Sequence, residues 1–308
     1  MGSTPSKIRA DRVTPLRYPG GKGKFTSFIR AVINANGLDE LYAEPYAGGA
    51  GIAMNLLLSG DVTAIAINDL STPVYCFWKA LLQDTESLCR LIADVPLTVE
   101  SWDKQKRIFA AGDGADYLSL GFATFFLNRT NRSGILNGGI IGGRDQTGTW
   151  KIGARYKTAD LLARIEAISQ RSARISLTNQ DAIAFLAEGR EEWPSGTLVY
   201  LDPPYYVKGR DLYYHFYMHS DHEAVADAVA ELGTMKWVVS YDNVRQVRDL
   251  YAGYNRAIYN IGYSARSARK GSEVTCSPFS PPLISRVRGG HGALAGRVAQ
   301  PAWQHRRA

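Results

Sequence analysis

Leu198-Val199-Tyr200-Leu201-Asp202-Pro203-Pro204-Tyr205 is the stretch on which the reading of this 308-residue chain turns. Its first four residues form a short, apolar, β-prone run between Gly196 and a double proline, which reads as a buried strand ending at the acid. Neither proline donates a backbone hydrogen bond, and both hold φ near about −65°, so a stiff, extended loop follows the strand. Such a loop directs a carboxylate, two backbone carbonyls and an aromatic face to one place. The set suits a flat base carrying an exocyclic amine: the Asp202 carboxylate and the Pro203 carbonyl accept from the NH₂, and the Tyr205 ring stacks. Taken alone, the four residues read equally well as a strand followed by a proline turn.

The preceding chain supplies two glycine-rich turns. Tyr18-Pro19-Gly20-Gly21-Lys22 opens a helical pattern from Phe25 to Ile33, which brings backbone N–H groups towards an anion with Lys22 as counter-charge. It lacks the spacing of a Walker loop, because no Ser or Thr follows the lysine. Leu41-Tyr42-Ala43 reads as a strand entering Glu44-Pro45-Tyr46-Ala47-Gly48-Gly49-Ala50-Gly51 and then an apolar helix, Ile52 to Leu58. The glycines allow a tight turn and close ligand approach beneath the helix N-terminus. A second strand, Val62 to Ile67, ends at Asn68-Asp69. An acid at that strand tip is placed for ribose hydroxyls, and it also precedes Ser71-Thr72-Pro73, where it would cap the next helix.

Residues 74–126 are helical almost throughout, with no strand of the main sheet, and read as an inserted lobe. Asp84 to Ala93 and Glu100 to Ala111 read as surface helices, and Leu118 to Leu127 as a more buried one. Asn128-Arg129-Thr130-Asn131-Arg132-Ser133-Gly134, with Gly138-Gly139, Gly142-Gly143-Arg144 and Trp150-Lys151, reads as an exposed loop or hairpin. Arginine and asparagine pair with base edges and arginine grips phosphates, so the segment is a nucleic-acid candidate; the alternative is a glycine-rich surface loop. Strand and helix then alternate again. Arg174 to Leu177 is a strand, and Asp181 precedes the helix Ala182 to Leu186 as a cap or a ligand contact. Asp221 to Leu232 is an amphipathic helix, Trp237 to Asn243 a strand and turn, and Arg256 to Tyr263 a strand. The alternation argues for a doubly wound α/β sheet with ligands at the strand C-terminal ends.

Composition narrows the class. The 45% apolar and 21% charged content is that of a soluble globular chain, and no apolar run reaches membrane-span length. The N-terminus lacks the apolar core of a signal peptide. Cys76, Cys89 and Cys276 show no metal-ligand pairing, and His215, His219 and His222 fit no common zinc spacing, so no metal is expected. A reduced, cytoplasmic setting follows. Of the net charge of +7, five positive charges (Arg286, Arg288, Arg297, Arg306, Arg307) lie after Thr275 with no acid, which leaves about +2 for the body. Cys276 to Ala308, rich in Pro, Gly and Arg, reads as a disordered basic tail.

In their order, the two glycine motifs and Asp202-Pro203-Pro204-Tyr205, with a helical and hairpin insert before the last, resemble the Dam-type DNA adenine N6-methyltransferases, the alpha arrangement of amino-methylating enzymes. The resemblance spans roughly residues 15–275. It implies an α/β, Rossmann-like class I methyltransferase sheet with an inserted target-recognition domain. Residues 1–74 and 156–275 would form a discontinuous S-adenosylmethionine-binding catalytic domain, 75–155 the insert, and 276–308 the tail. By the same resemblance Tyr18, Lys22 and the loop Glu44, Pro45, Tyr46, Ala47, Gly48, Gly49 and Gly51 surround the cofactor's methionine part. Asp69 takes the ribose hydroxyls and Asp181 the adenine amine. Asp202, Pro203, Pro204 and Tyr205 are the catalytic set, and Arg129, Asn131, Arg132, Ser133 and Arg144 face double-stranded DNA. Ser at the first position of the proline motif is typical of cytosine N4 methylation and Asn of several other amino-methyltransferases, so Asp202 favours adenine in DNA.

The chemistry has its own physical case. An exocyclic adenine amine is a poor nucleophile because its lone pair is shared with the ring. Acceptors at Asp202 and the Pro203 carbonyl would localise that pair for in-line attack on a sulfonium methyl, with Asp202 not assigned as a general base. The base must first leave the duplex, at a cost of a few kcal/mol that stacking on Tyr205 would help offset. The expected host is a bacterium or phage, with the enzyme on the nucleoid when acting and a restriction or phage-defence system as candidate partner. The rival readings are an RNA adenine N6-methyltransferase and a non-catalytic DNA-binding regulator of the same fold.

Overall fold

The computed structural model describes residues 13–17, 25–207, 217–262, 270–280 and 298–299. In chain order its regular elements begin with α1 (Thr26–Asn36), β1 (Leu41–Glu44), α2 (Gly51–Ser59) and β2 (Ala64–Asn68). The helices α3 (Thr72–Gln83), α4 (Thr85–Asp94), α5 (Val99–Ala111), α6 (Tyr117–Thr130) and α7 (Thr158–Ser169) follow. Then come β3 (Ile175–Thr178), α8 (Ala182–Glu192), β4 (Thr197–Leu201), α9 (His219–Ala230), β5 (Lys236–Asp242) and α10 (Arg245–Leu250). The chain closes with β6 (Asn255–Gly262), β7 (Lys270–Ser277) and β8 (Val298–Ala299). It divides into two compact units: Met1–Thr26, Ala47–Gly60 and Asp69–Asn179 form the first, and Ser27–Tyr46, Asp61–Asn68 and Gln180–Ala308 the second.

Within the second unit the strand order is β2-β1-β4-β5-β7-β6-β8. The first four strands run parallel, while β7 joins β5 antiparallel and is followed by antiparallel β6. This is the expected α/β, Rossmann-like class. β4 is buried along its whole length, as a central parallel strand covered on both faces must be. One face of the sheet carries Ala43, Ala66, Val199, Leu201, Val239 and Tyr241 into a core shared with Phe185 of α8, Val225 and Val229 of α9, and Val247 of α10. Side chains alternate along a strand, so Tyr200, Ser240 and Asp242 point to the opposite face. That face is polar near the strand C-terminal ends, and the catalytic candidates lie there.

Among the described residues the first unit has β3 as its one strand and is otherwise helices and loops, and residues 75–155 lie wholly within it. α3 packs along α6, and α6 against α5. At Gly121 of α6 a Cβ would sit 2.5 Å from the Cys76 backbone oxygen, so only glycine lets the two helices approach this closely. Phe77 and Phe125 stack across the same contact at 5.8 Å.

Two readings need correcting. The segment expected as an exposed loop from Asn128 is buried at its start: Asn128, Arg129, Thr130 and Asn131 are 3%, 8%, 0% and 0% exposed, the first three inside α6. Between Asn131 and Lys151, the described residues hold a single β bridge, Asn131 to Ile140, and no hairpin ladder. The strand β7 also continues through Cys276 and Ser277, both buried, into the stretch read as tail. There Val298 and Ala299 pair with β6. No helix among the described residues is long and apolar enough to cross a membrane.

Candidate active site

The proline loop begins where β4 ends. Asp202 is half-buried, and its Oδ1 accepts a hydrogen bond from the Ser240 hydroxyl of β5 at 3.1 Å. Ser240 is in turn 2.8 Å from the Tyr200 hydroxyl, so a hydroxyl chain on the polar face fixes the carboxylate. Burial, with Asp202 nearby, holds the Tyr200 phenol well above the usual tyrosine range. The phenol is therefore a donor here and not a base. Pro203 is buried and Pro204 half-buried. The Tyr205 ring is buried, at 8% exposure, and its hydroxyl donates to Glu273 Oε1 of β7. Glu273 Oε2 accepts from Tyr259 of β6 at 2.7 Å. A base stacking on Tyr205 would first have to displace the atoms that cover the ring.

The next two residues are held from their backbone. The N–H groups of Tyr206 and Val207 donate to Asp242 Oδ1 and Oδ2 at 2.9 and 3.1 Å. Asp242 and Glu273 are functional candidates that the sequence alone did not single out. The available signal was an acid at the end of one strand-forming run, Trp237 to Asp242, and an acid in the middle of another, Gly271 to Thr275. Asp242 read instead as part of a turn.

β1 ends at Glu44, which is buried and accepts from the Tyr42 hydroxyl at 2.8 Å. The Pro45 carbonyl and the Gln180 backbone are tied to one side chain, Asn68. Tyr46 is half-buried with its hydroxyl 3.2 Å from that of Tyr217; burial, then Tyr217, push its phenol far up. Asp181 Oδ1 caps α8 by accepting from Ile183 N at 2.8 Å, the commoner of the two jobs read for it.

In the first unit the glycine turn takes the left-handed conformation at Gly48 (φ 48°) and at Ala50 (φ 44°). Asp69 stands at its base: Oδ2 accepts from Gly48 N at 2.7 Å and Oδ1 from Ser71 N at 2.9 Å. The carboxylate thus ties the turn to the start of α3, and each oxygen keeps a further lone pair for a ligand hydroxyl. Burial raises its pKa to about 6 against the pull of those two N–H groups. Ala47 and Gly49 are buried, Gly51 is half-buried, and the Trp78 indole donates to the Gly48 carbonyl at 2.9 Å. A turn with left-handed backbone beside a half-buried carboxylate fits the ribose end of a nucleoside cofactor. Tyr18 and Lys22 lie outside the described residues.

The five DNA candidates separate into two kinds. Arg129 donates to the Pro15 carbonyl, and burial, with Arg164 and Arg17 nearby, lowers its pKa to about 9. Asn131 accepts from the Trp102 indole at 2.7 Å and donates to the carbonyls of Ile135 and Leu136, both at 2.9 Å. Both side chains are committed to holding the lobe together. Arg132 and Ser133 are exposed, and Ser133 has a left-handed φ of 58°. Arg144 is also exposed and makes a two-pronged pair with Asp103, each contact 2.8 Å.

Two of the three clustered histidines, His219 and His222, are described, and each has its own partner. His222 is buried, with Nδ1 3.0 Å from the Tyr241 hydroxyl, and burial lowers its pKa to about 4. His219 pairs with Glu223, and His215 lies outside the described residues. No group of three metal-binding side chains occurs among the described residues.

Residues 18–111 match the model of the D12 class N6 adenine-specific DNA methyltransferases. The match covers less than half of the chain, including both glycine motifs, and over that span it agrees with the resemblance to the Dam-type family. No curated protein matches. Among solved structures, the rRNA methyltransferase aviRa from Streptomyces viridochromogenes is 11% identical, covers 81% of this chain and 82% of its own, and gives a TM-score of 0.31. Protein LPL1258 from Legionella pneumophila is 13% identical, covers 84% and 86%, and gives a TM-score of 0.30.

The contrast between buried and exposed arginines is testable. Arg129→Ala removes a buried charged hydrogen bond and should cost about 1.5–3 kcal/mol in urea unfolding. Arg132→Ala should leave stability within about 0.5 kcal/mol of wild type. Equal unfolding curves for both variants would contradict the assignment.

Proposed function

We propose that the protein transfers a methyl group from S-adenosylmethionine to the N6 amine of an adenine flipped out of duplex DNA. The observation that carries the reading is the half-buried Asp202 carboxylate, fixed by Ser240 at the end of a buried strand and followed by two prolines. The family match over residues 18–111 supports it independently. In this reading the Asp202 carboxylate and the Pro203 carbonyl accept the two amine N–H bonds, which localises the nitrogen lone pair. Tyr205 supplies the stacking surface once the atoms over its buried ring are displaced. The cofactor supplies the activated methyl group, and the protein supplies orientation and fixed dipoles.

For the cofactor we assign the loop Glu44, Pro45, Tyr46, Ala47, Gly48, Gly49 and Gly51, with Tyr18 and Lys22, to the methionine part, Asp69 to the ribose hydroxyls and Asp181 to the adenine. The fit rests on the Gly48 turn and the acceptor capacity of Asp69. For DNA we assign the exposed Arg132, Ser133 and Arg144. Arg129 and Asn131 act behind them by shaping the lobe.

Asp202→Ala should lower methyl transfer to unmethylated duplex DNA by at least about a thousandfold while the cofactor still raises the melting temperature. Wild-type turnover in that variant would exclude the mechanism, and transfer to RNA alone would move the substrate class. Asp69 adds a pH dependence. Its folded pKa is raised, so as pH falls through about 6 the carboxylate takes up a proton and loses acceptor capacity. Cofactor affinity should be full above that value and weaken below it. Asp69→Asn should bind weakly with little change between about pH 5 and 7.5. An equal pH response in the variant would remove Asp69 from the cofactor site.

A further inference from the structure

Asp242 of β5 and Glu273 of β7 are direct partners across an antiparallel ladder. They are 6% and 0% exposed. Like charges directly opposite each other on a sheet destabilise it, and burial adds the cost of removing each carboxylate from water. Sheet stability alone would favour an apolar pair at these positions. Each acid is instead met by donors from the segment that carries the proline motif. Asp242 takes the backbone N–H groups of Tyr206 and Val207, and Glu273 takes the hydroxyl of Tyr205.

The geometry follows from the sequence of the loop. Pro203 and Pro204 offer no N–H, so this part of the chain cannot tie itself to a neighbouring strand by ladder hydrogen bonds. The first backbone donors available after them are those of Tyr205, Tyr206 and Val207, and Asp242 takes two of the three. Ser240, two residues before Asp242 and so on the same face, fixes the Asp202 carboxylate at the other end. Glu273 fixes the loop a third time through the Tyr205 ring, with Tyr259 satisfying its second oxygen.

We infer that Asp242 and Glu273 are positioning residues, a buried carboxylate pair that holds the Asp202–Tyr205 loop by its backbone and by its phenol. The inference rests on the reading of that loop as the methyl-transfer site. It goes further in naming what keeps two acceptors and a stacking ring in register without any contact with the substrate. Such preorganisation acts on the rate of the chemical step more than on binding.

The test combines exchange and kinetics on the full-length protein. In Asp242→Asn the amides of Tyr206 and Val207 should exchange with deuterium at least about tenfold faster than in wild type, while amides of β4 and β5 keep their protection. In both Asp242→Asn and Glu273→Gln, kcat for DNA methylation should fall about tenfold or more, with KM for cofactor and DNA within about threefold. Glu273→Leu combined with Tyr205→Phe should be no slower than the worse single variant, because both remove the hydrogen bond between these two residues. Should Glu273→Gln fail to fold, Tyr205→Phe removes that bond from the loop side and should show the same loss in kcat. Unchanged exchange at Tyr206 and Val207, kcat within about twofold of wild type, or losses that multiply in the double variant would each overturn the inference. A wild-type protein that methylates no DNA would defeat the functional reading instead, and the exchange result would still decide whether the carboxylates anchor the loop.

Discussion

Two carboxylates facing each other across buried strands are a constraint that the surrounding chain has to satisfy. Burying Asp242 and Glu273 side by side is costly, and donors from one short segment, Tyr205 to Val207, together with Tyr259, help offset that cost. The strands hold the acids, the acids hold the loop, and the loop holds Asp202 and the Pro203 carbonyl where an amine can meet them. The apolar face of the same sheet carries none of this. Val239 and Tyr241 alternate with Ser240 and Asp242, so one strand serves core and site together. The same alternation explains why antiparallel β7 matters to a site on parallel β4: it is the strand that brings Glu273 alongside β5.

Much of this was legible because the signals are local. The run before Asp202, the double proline, the Glu44–Gly51 turn and the acid at the tip of β2 each declare themselves within a few residues. Helix α2, the surface helices α4 and α5, and the strands on either side of the proline loop fall close to their expected spans for the same reason. Asn128 to Asn131 misled because arginine and asparagine next to glycines resemble a solvated loop. Arg129 and Asn131 each have a partner far off in sequence, Pro15 and Trp102, which no periodicity could reveal. Asp242 and Glu273 escaped attention on similar grounds. An acid at a strand end, as Asp242 is, or at an alternate position within a strand, as Glu273 is, usually faces water, and only the pairing of β5 with β7 shows that these two are buried.

Asp69 shows how a structural role leaves room for a proposed ligand role. It was placed either as a ribose acceptor or as a residue fixing the start of the next helix. It bonds Ser71 N and Gly48 N at once, so it braces the glycine turn while retaining lone pairs for a ligand. Asp181 spends one oxygen on the first turn of α8, and in the proposed reading the other serves the cofactor's adenine. Residues that build the backbone of a site and also face its ligand are expected where a turn has to be held open without bulk.

The most direct test is to incubate the full-length protein with unmethylated duplex DNA and isotopically labelled S-adenosylmethionine, then identify the labelled nucleoside by mass spectrometry. The account predicts label in N6-methyldeoxyadenosine, recurring at one short sequence when the modified DNA is read. Label in N4-methyldeoxycytidine, or none in DNA from a preparation that binds the cofactor, would contradict it.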